Sequence, residues 1–204
     1  MQRQQPPPLT PALLISAYAQ GIFPMAGRRE RIDWYDPDPR AIIPLDDRFH
    51  VPKSLTRVLR KGEFEIRYDT DFRAVMSACA APAPGREDTW INGMLIDAYA
   101  RLHQLGLAHT VETWQNGVMV GGLYGVSIKG LFAGESMFSR APDASKIALV
   151  YLVEKLRAGG FTLLDTQFVT PHLAHFGAYE IPRAEYQQRL AHALTVDAKF
   201  HPAE

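Results

Sequence analysis

Two short segments about thirty residues apart hold the side chains best able to manage a proton: GESMFSR from Gly134 to Arg140, and LLDTQ from Leu163 to Gln167. Each sets polar groups beside apolar residues that could shape a pocket. Asp165 and Gln167 lie two apart in a run that reads as a strand, so both side chains fall on one side of it. A carboxylate polarising an amide can hold and relay the proton of an amine. Glu135 is a second carboxylate, in a strand-like run between Gly134 and Ser136. The chain carries no nucleophile, metal or phosphate-loop signature, and the chemistry these residues permit is acyl transfer by positioning. An activated ester attacked by an α-amine needs an unprotonated nucleophile, correct placement and stabilisation of the developing oxyanion, with no covalent intermediate. An α-amine titrates near 7.7–8.0, so roughly a third of it is neutral at about pH 7.5 and a base has little driving force to supply.

Positioning demands a rigid frame, and the 204 residues, 47% of them hydrophobic, can bury a substantial core. The 22 Lys and Arg balance 22 Asp and Glu, so overall charge predicts no strong pull toward nucleic acid or membrane, although a local patch could act. Cys79 is the single cysteine, which excludes an internal disulfide and a cysteine zinc site and suits a reducing compartment. It reads as a small buried hydrophobe. No apolar run reaches the roughly 18 residues of a membrane span, and MQRQQPPPL lacks the layout of a signal peptide. A soluble cytoplasmic protein is expected.

Gln2 to Pro8 reads as an extended or disordered arm, after which Thr10-Pro11 opens a short helix that Gly21 closes. The stretch to Pro52 is rich in proline and turn formers (WYDPDPRAIIPLDD), which suits irregular backbone with short strands. Lys53 to Lys61 reads as a basic helix, Phe64 to Tyr68 as a strand and Thr70 to Ala80 as a helix, with CAAPAPGRED as the connection between lobes. The division expected is a small N-terminal lobe over 1–81 and a larger unit over 82–204. In the latter, Leu95, Ala98, Leu102 and Leu105 repeat at helical spacing, and HTVETW and VMVGGLYGV flank the hairpin signal Asn116-Gly117. GLFAGESMF follows as an antiparallel strand, Asp143 as the cap of a helix ending at Gly159-Gly160, FTLLDTQ as a buried strand, Thr170-Pro171 as a helix start, and Arg183 to Leu194 as a last helix. The order is that of an α+β fold whose site lies where the third strand, the helix start and the next strand converge.

WYDPDPRAIIPLD, FHVPKSL, TWI, GGLYGV, LFAGESMFSRAPDASK, LLDTQ and GAYEIPR, in this order and spacing, resemble the leucyl/phenylalanyl-tRNA–protein transferase family over about Tyr18 to Leu194. The resemblance implies a cytoplasmic enzyme that moves leucine or phenylalanine from aminoacyl-tRNA to proteins beginning with arginine or lysine, marking them for degradation (the N-end rule). It also implies a C-terminal GNAT-like domain, the acyl-CoA N-acyltransferase fold, with no cofactor and no metal. Trp34-Tyr35 stands where relatives often carry two tryptophans, and Leu123 where a methionine is common.

The resemblance places Asp165 and Gln167 as the pair that handles the amine proton. A substrate-assisted route in which they only position the amine stays open, as does a capping aspartate beside a core glutamine. Glu135 falls at the reaction centre, to bind the donor ammonium or orient the adenosine. Leu123, Phe132 and Met137, with Gly134 and Ser136, would shape a flexible apolar pocket that accepts both leucine and phenylalanine. Trp34 and Trp90 are candidates to stack on the terminal adenine. Lys53, Arg57, Arg60 and Lys61 fall mostly along one helical face, a strip for tRNA phosphates or else a plain solvated surface. Arg140 and Lys146 are further candidates. The partners expected are leucyl-tRNA, phenylalanyl-tRNA and proteins with N-terminal Arg or Lys, with no membrane and a monomeric state. A coenzyme A acetyltransferase would need a glycine-rich phosphate loop where this chain has SRAPDASK. A non-enzymatic tRNA-binding module is the second reading, and it predicts binding indifferent to the attached amino acid.

Overall fold

The longest strand among the described residues lies near the centre of the sheet. Strands β5 (Ala108–Gln115) and β6 (Val118–Ile128) close on the Asn116-Gly117 turn, where both residues take positive φ, and β6 then pairs antiparallel with β7 (Leu131–Ser139). Residues on the two faces of β6 enter different cores: Leu123 packs on one side, Tyr124, Val126 and Ile128 on the other. Such a strand, buried on both faces, needs helices above and below it. The computed structural model, which describes residues 9–27, 31–82 and 89–201, supplies them. Helices α1 (Pro11–Tyr18), α3 (Phe72–Ala80) and α4 (Gly93–Gln104) form one core with Tyr124, Val126 and Phe138. Helices α2 (Lys53–Lys61) and α5 (Ala144–Ala158) form the other with Leu123, Phe132 and Leu164.

The full sheet has seven strands, in the order β4 (Glu65–Tyr68), β5, β6, β7, β8 (Leu163–Gln167), β3 (Arg40–Ile43), β9 (Tyr179–Ile181). All neighbours are antiparallel except β7 and β8, which run parallel because α5 crosses over between them. The fold is therefore α+β with a mixed sheet. The proline-rich N-terminal stretch contributes the hairpin β1 (Phe23–Ala26) and β2 (Ile32–Tyr35), and also β3, all four of whose residues are buried between β8 and β9. Helix α6 (Pro171–Ala174) and helix α7 (Arg183–Ala193) complete the chain, with Tyr186 and Leu190 of α7 packed against Ile42 and Leu163.

The threonine caps are as expected: the hydroxyls of Thr10 and Thr170 accept the amides of Leu13 and Leu173. Asp143 departs from expectation. It precedes α5 in the left-handed region, at φ 64°, and its carboxylate leaves the helix amides to pair with Lys146 at 2.6 Å. Three-residue β9 was too short to register in the sequence pattern. Cys79 is buried, and the arm over 2–8 and most of the CAAPAPGRED connection lie outside the described residues. No helix among the described residues is long and apolar enough to cross a membrane.

Candidate active site between splayed strands

Parallel pairing of β7 and β8 lasts only three residue pairs, Leu131 with Leu163, Phe132 with Leu164 and Ala133 with Asp165. Beyond them the strands part, and a cavity of about 570 Å³ fills the opening. Its β7 wall is Gly134 to Ser139; its β8 wall is Leu164, Thr166 and Gln167. A β-bulge helps to shape the first wall, since Gly125 faces Gly134 while the adjacent Tyr124 faces Ser136, leaving Glu135 as the extra residue. Leu123, Met137, Leu149, Leu152, Leu164 and Leu173 supply the apolar side from the α5 core. Phe23, Met25, Trp90, Tyr124 and Phe138 supply an aromatic side from the other core.

Polar groups line this apolar chamber without protein partners. Buried atoms that make no hydrogen bond include Tyr124 Oη, Thr166 Oγ1, Gln167 Nε2 and His172 Nε2, and all four residues face the cavity. Buried polar groups are ordinarily satisfied, so four orphans on one cavity make it the candidate ligand site. His172 is kept neutral: burial and the positive charges of Lys146 and His175 lower its pKa against the opposing pull of Asp143.

Glu135 accepts a hydrogen bond from Tyr18 Oη at 2.7 Å and a longer one from Tyr99 Oη at 3.4 Å, and the two tyrosines bond each other. Its carboxyl is pushed up to about 8, first by burial and also by the Asp165 charge, against lowering by the Tyr18 bond and by Arg40. At neutral pH this shift favours the protonated carboxyl.

Asp165 has a different place from the one its spacing suggests. It is fully buried and grips Arg40, whose Nε and Nη2 donate to the two carboxylate oxygens at 2.9 and 2.6 Å. Tyr186 Oη donates to it at 2.9 Å, and its remaining bond is to the backbone N–H of Gln167 at 2.9 Å. The two side chains of the expected relay do not hydrogen-bond each other. Gln167 sits at φ 61°, a left-handed conformation unusual for its type, which ends the strand alternation and separates the fate of its side chain from that of Asp165. Arg40 is itself fully buried, spans to the Gly21 carbonyl at 2.7 Å and lies over the Phe23 and Tyr186 rings.

Of the residues singled out from sequence, Trp90, Leu123, Gly134, Glu135, Ser136, Met137 and Gln167 come together on the cavity. Phe132 does not: it shares the core of Met137 but lies where β7 is still paired with β8, fully buried against Phe161 and Phe200. Trp34 lies off the cavity, 40% exposed on β2, one position from Tyr35, which stacks on the cavity-lining Phe23. Lys53, Arg57, Arg60 and Lys61 are exposed on α2, whose opposite side buries Leu55. Arg140 lies over Phe138 and Lys146 pairs with Asp143. Sequence reading passed over Arg40, Tyr18, Tyr99 and His172. Arg40 alone left a signal, as a lone charge opening the apolar run RAII.

A family model described as leucyl/phenylalanyl-tRNA protein transferase matches residues 42–191, and one for the N-terminal domain of the same family matches residues 8–38. A leucyl/phenylalanyl-tRNA–protein transferase of Herpetosiphon aurantiacus is 65% identical over 192 residues, covering 94% of this chain and 98% of that one. One of Paramagnetospirillum magneticum is 58% identical over 195 residues, covering 95% and 93%. Among solved structures, L-PGS from Bacillus licheniformis aligns at TM-score 0.44 and 16% identity over 80% of this chain and 54% of that one, too distant to bear on the reaction.

Proposed function

The chain belongs to the leucyl/phenylalanyl-tRNA–protein transferase family, and on that premise we propose that it moves leucine or phenylalanine from aminoacyl-tRNA to proteins with N-terminal Arg or Lys, in the cavity between β7 and β8. The observation that carries this reading is the set of four unpartnered polar atoms on an otherwise apolar chamber. A chamber of this kind selects an apolar side chain by packing and orients reacting groups by a few fixed polar contacts. The splayed parallel pair and its bulge support a GNAT-like reading of the fold.

The donor's leucine or phenylalanine side chain lies against Leu123, Met137, Leu149 and Leu152, a wall that can re-pack for either. Trp90 stacks on the terminal adenine; Trp34 belongs to the outer aromatic surface that the adjoining nucleotides reach. Glu135 receives the donor ammonium, whose positive charge lowers the pKa of the carboxyl so that its proton passes to solvent and a carboxylate faces the ammonium. The acceptor's α-amine nitrogen attacks the ester carbonyl carbon; the carbon–nitrogen bond forms, the carbon–oxygen bond to the ribose breaks, and the amine proton leaves on the ribose oxygen. Gln167 orients the amine through its carboxamide. Asp165 acts through Arg40, Tyr186 and the Gln167 amide as a positioning residue, since its oxygens are occupied and its carboxylate is out of reach of substrate. The N-terminal 81 residues add the basic strip on α2, where Lys53, Arg57, Arg60 and Lys61 meet tRNA phosphates without reading bases. The protein works as a cytoplasmic monomer.

Purified protein is incubated with tRNA carrying labelled leucine and two peptides alike except for N-terminal arginine or alanine. Label should enter the arginine peptide alone, and Gln167→Ala should lower the rate by about 100-fold or more while tRNA binding is retained. Bound tRNA with no label in either peptide would instead make the chain a non-catalytic tRNA-binding module.

A further inference from the structure

Outside the cavity lining, three segments remote in sequence bring ligand-bearing side chains to one point. Asp69 follows β4, His109 lies near the start of β5, 40 residues on, and His201 lies 132 residues from Asp69, past α7. The Nδ1 of His109 and the Nε2 of His201 each meet the same oxygen, Oδ2 of Asp69, at 2.7 Å. All three ligand atoms lie within 4.8 Å of one another, the one such group among the described residues.

From this we infer that Asp69, His109 and His201 form a site for a divalent transition-metal ion, Zn2+ best matching two imidazoles and a carboxylate. The donor set suits the ion: neutral nitrogen ligands at about 2.0–2.1 Å, one carboxylate oxygen, and a fourth position left to water. Ligands around tetrahedral zinc stand about 3.3 Å apart, so the two 2.7 Å contacts to Asp69 would open by about half an ångström, and the two ring nitrogens, within 4.8 Å of each other, would close toward the same spacing. The supporting bonds are already in place. Thr110 N–H donates to Asp69 Oδ1 at 2.8 Å and fixes the carboxylate, while the His109 ring is stacked on Phe200, 4.2 Å between centroids. Exposure grades from 8% for His109 through 16% for Asp69 to 50% for His201, which leaves an open path for the ion. The ion would take the place of two ring protons and fasten the segment around Phe200 and His201 onto β5.

Untagged protein is stripped with chelator and titrated with Zn2+ in competition with a chromophoric chelator, without tRNA or peptide. One equivalent should bind, Co2+ should give the visible bands of a four-coordinate site, and His201→Ala and Asp69→Asn should each weaken binding by roughly 100-fold. His201 is half exposed, so its variant folds and keeps transfer activity. Failure of the wild-type protein to bind one equivalent, or equal binding by both variants, would overturn the site and leave the cluster as a carboxylate hydrogen-bonded by two histidines. Neither result depends on the transferase reading.

Discussion

Replacing Glu135 by Gln should make the protein more stable as pH rises, while impairing its chemistry. The carboxyl is raised from 4.5 to about 8 in the fold, so between those values the native state keeps a proton that the unfolded chain has released. Native protein then binds more protons than unfolded, and the stability of the parent must fall as pH increases, by about 1.4 kcal/mol per pH unit at full effect. A glutamine is neutral in both states and can still accept the Tyr18 hydroxyl, so the variant lacks this loss. Glu135 is only partly buried on the cavity wall, which reduces the expected gap to about 2–4 kcal/mol at pH 8, shrinking to nothing near pH 4.5. Guanidinium unfolding of both proteins at pH 5, 6, 7 and 8 measures the gap directly. Parallel stability curves would refute the reasoning, because they would mean that Glu135 ionises in the fold as it does in water. Transfer should fall in the same variant, since the amide offers no charge to the donor ammonium.

Arg40→Met should destabilise the fold by about 3–5 kcal/mol, because it strands Asp165 fully buried with its charge uncompensated; thermal unfolding checks it, and Arg40→Lys should recover little, having lost the two-pronged grip. The double substitution Arg57→Glu with Arg60→Glu should weaken tRNA binding and make its salt dependence shallower by about two ions, with the transfer rate at saturating tRNA unchanged; binding isotherms at two salt concentrations measure it.

Local signals carried far in this chain. Thr10-Pro11, Thr170-Pro171 and Asn116-Gly117 each act through neighbours in sequence, and each did what its chemistry dictates. The α2 boundaries, Lys53 to Lys61, also followed from sequence, since a polar face opposite Leu55 needs no tertiary information. What pattern could not give was the partner of a buried charge. Asp165 and Gln167 look like a matched pair on one strand, yet the carboxylate is claimed by Arg40 from a strand 125 residues away, and the glutamine leaves the alternation by a single positive φ. Phe132 misled for another reason: it shares a core with Met137, but it lies where β7 and β8 are still paired, before the opening that makes the cavity. The resemblance gathered the right stretch of β7; which of its side chains turn toward the cavity depended also on the bulge at Glu135.

That bulge sets the phase of everything downstream on the strand. Phe132 and Met137, five residues apart, belong to one core, and Ala133 and Phe138, also five apart, belong to the other, where an unbroken strand would match only even separations. Removing Glu135 itself would restore even spacing, with Met137 still opposite Leu123, so the wall would keep its phase and lose its acid; drawing Glu135 into the ladder instead would exchange Met137 and Phe138 between opposite sides of the sheet. The acid is thus the one residue of β7 that the ladder does not count: a length change there can remove the carboxyl and leave the apolar wall standing in register.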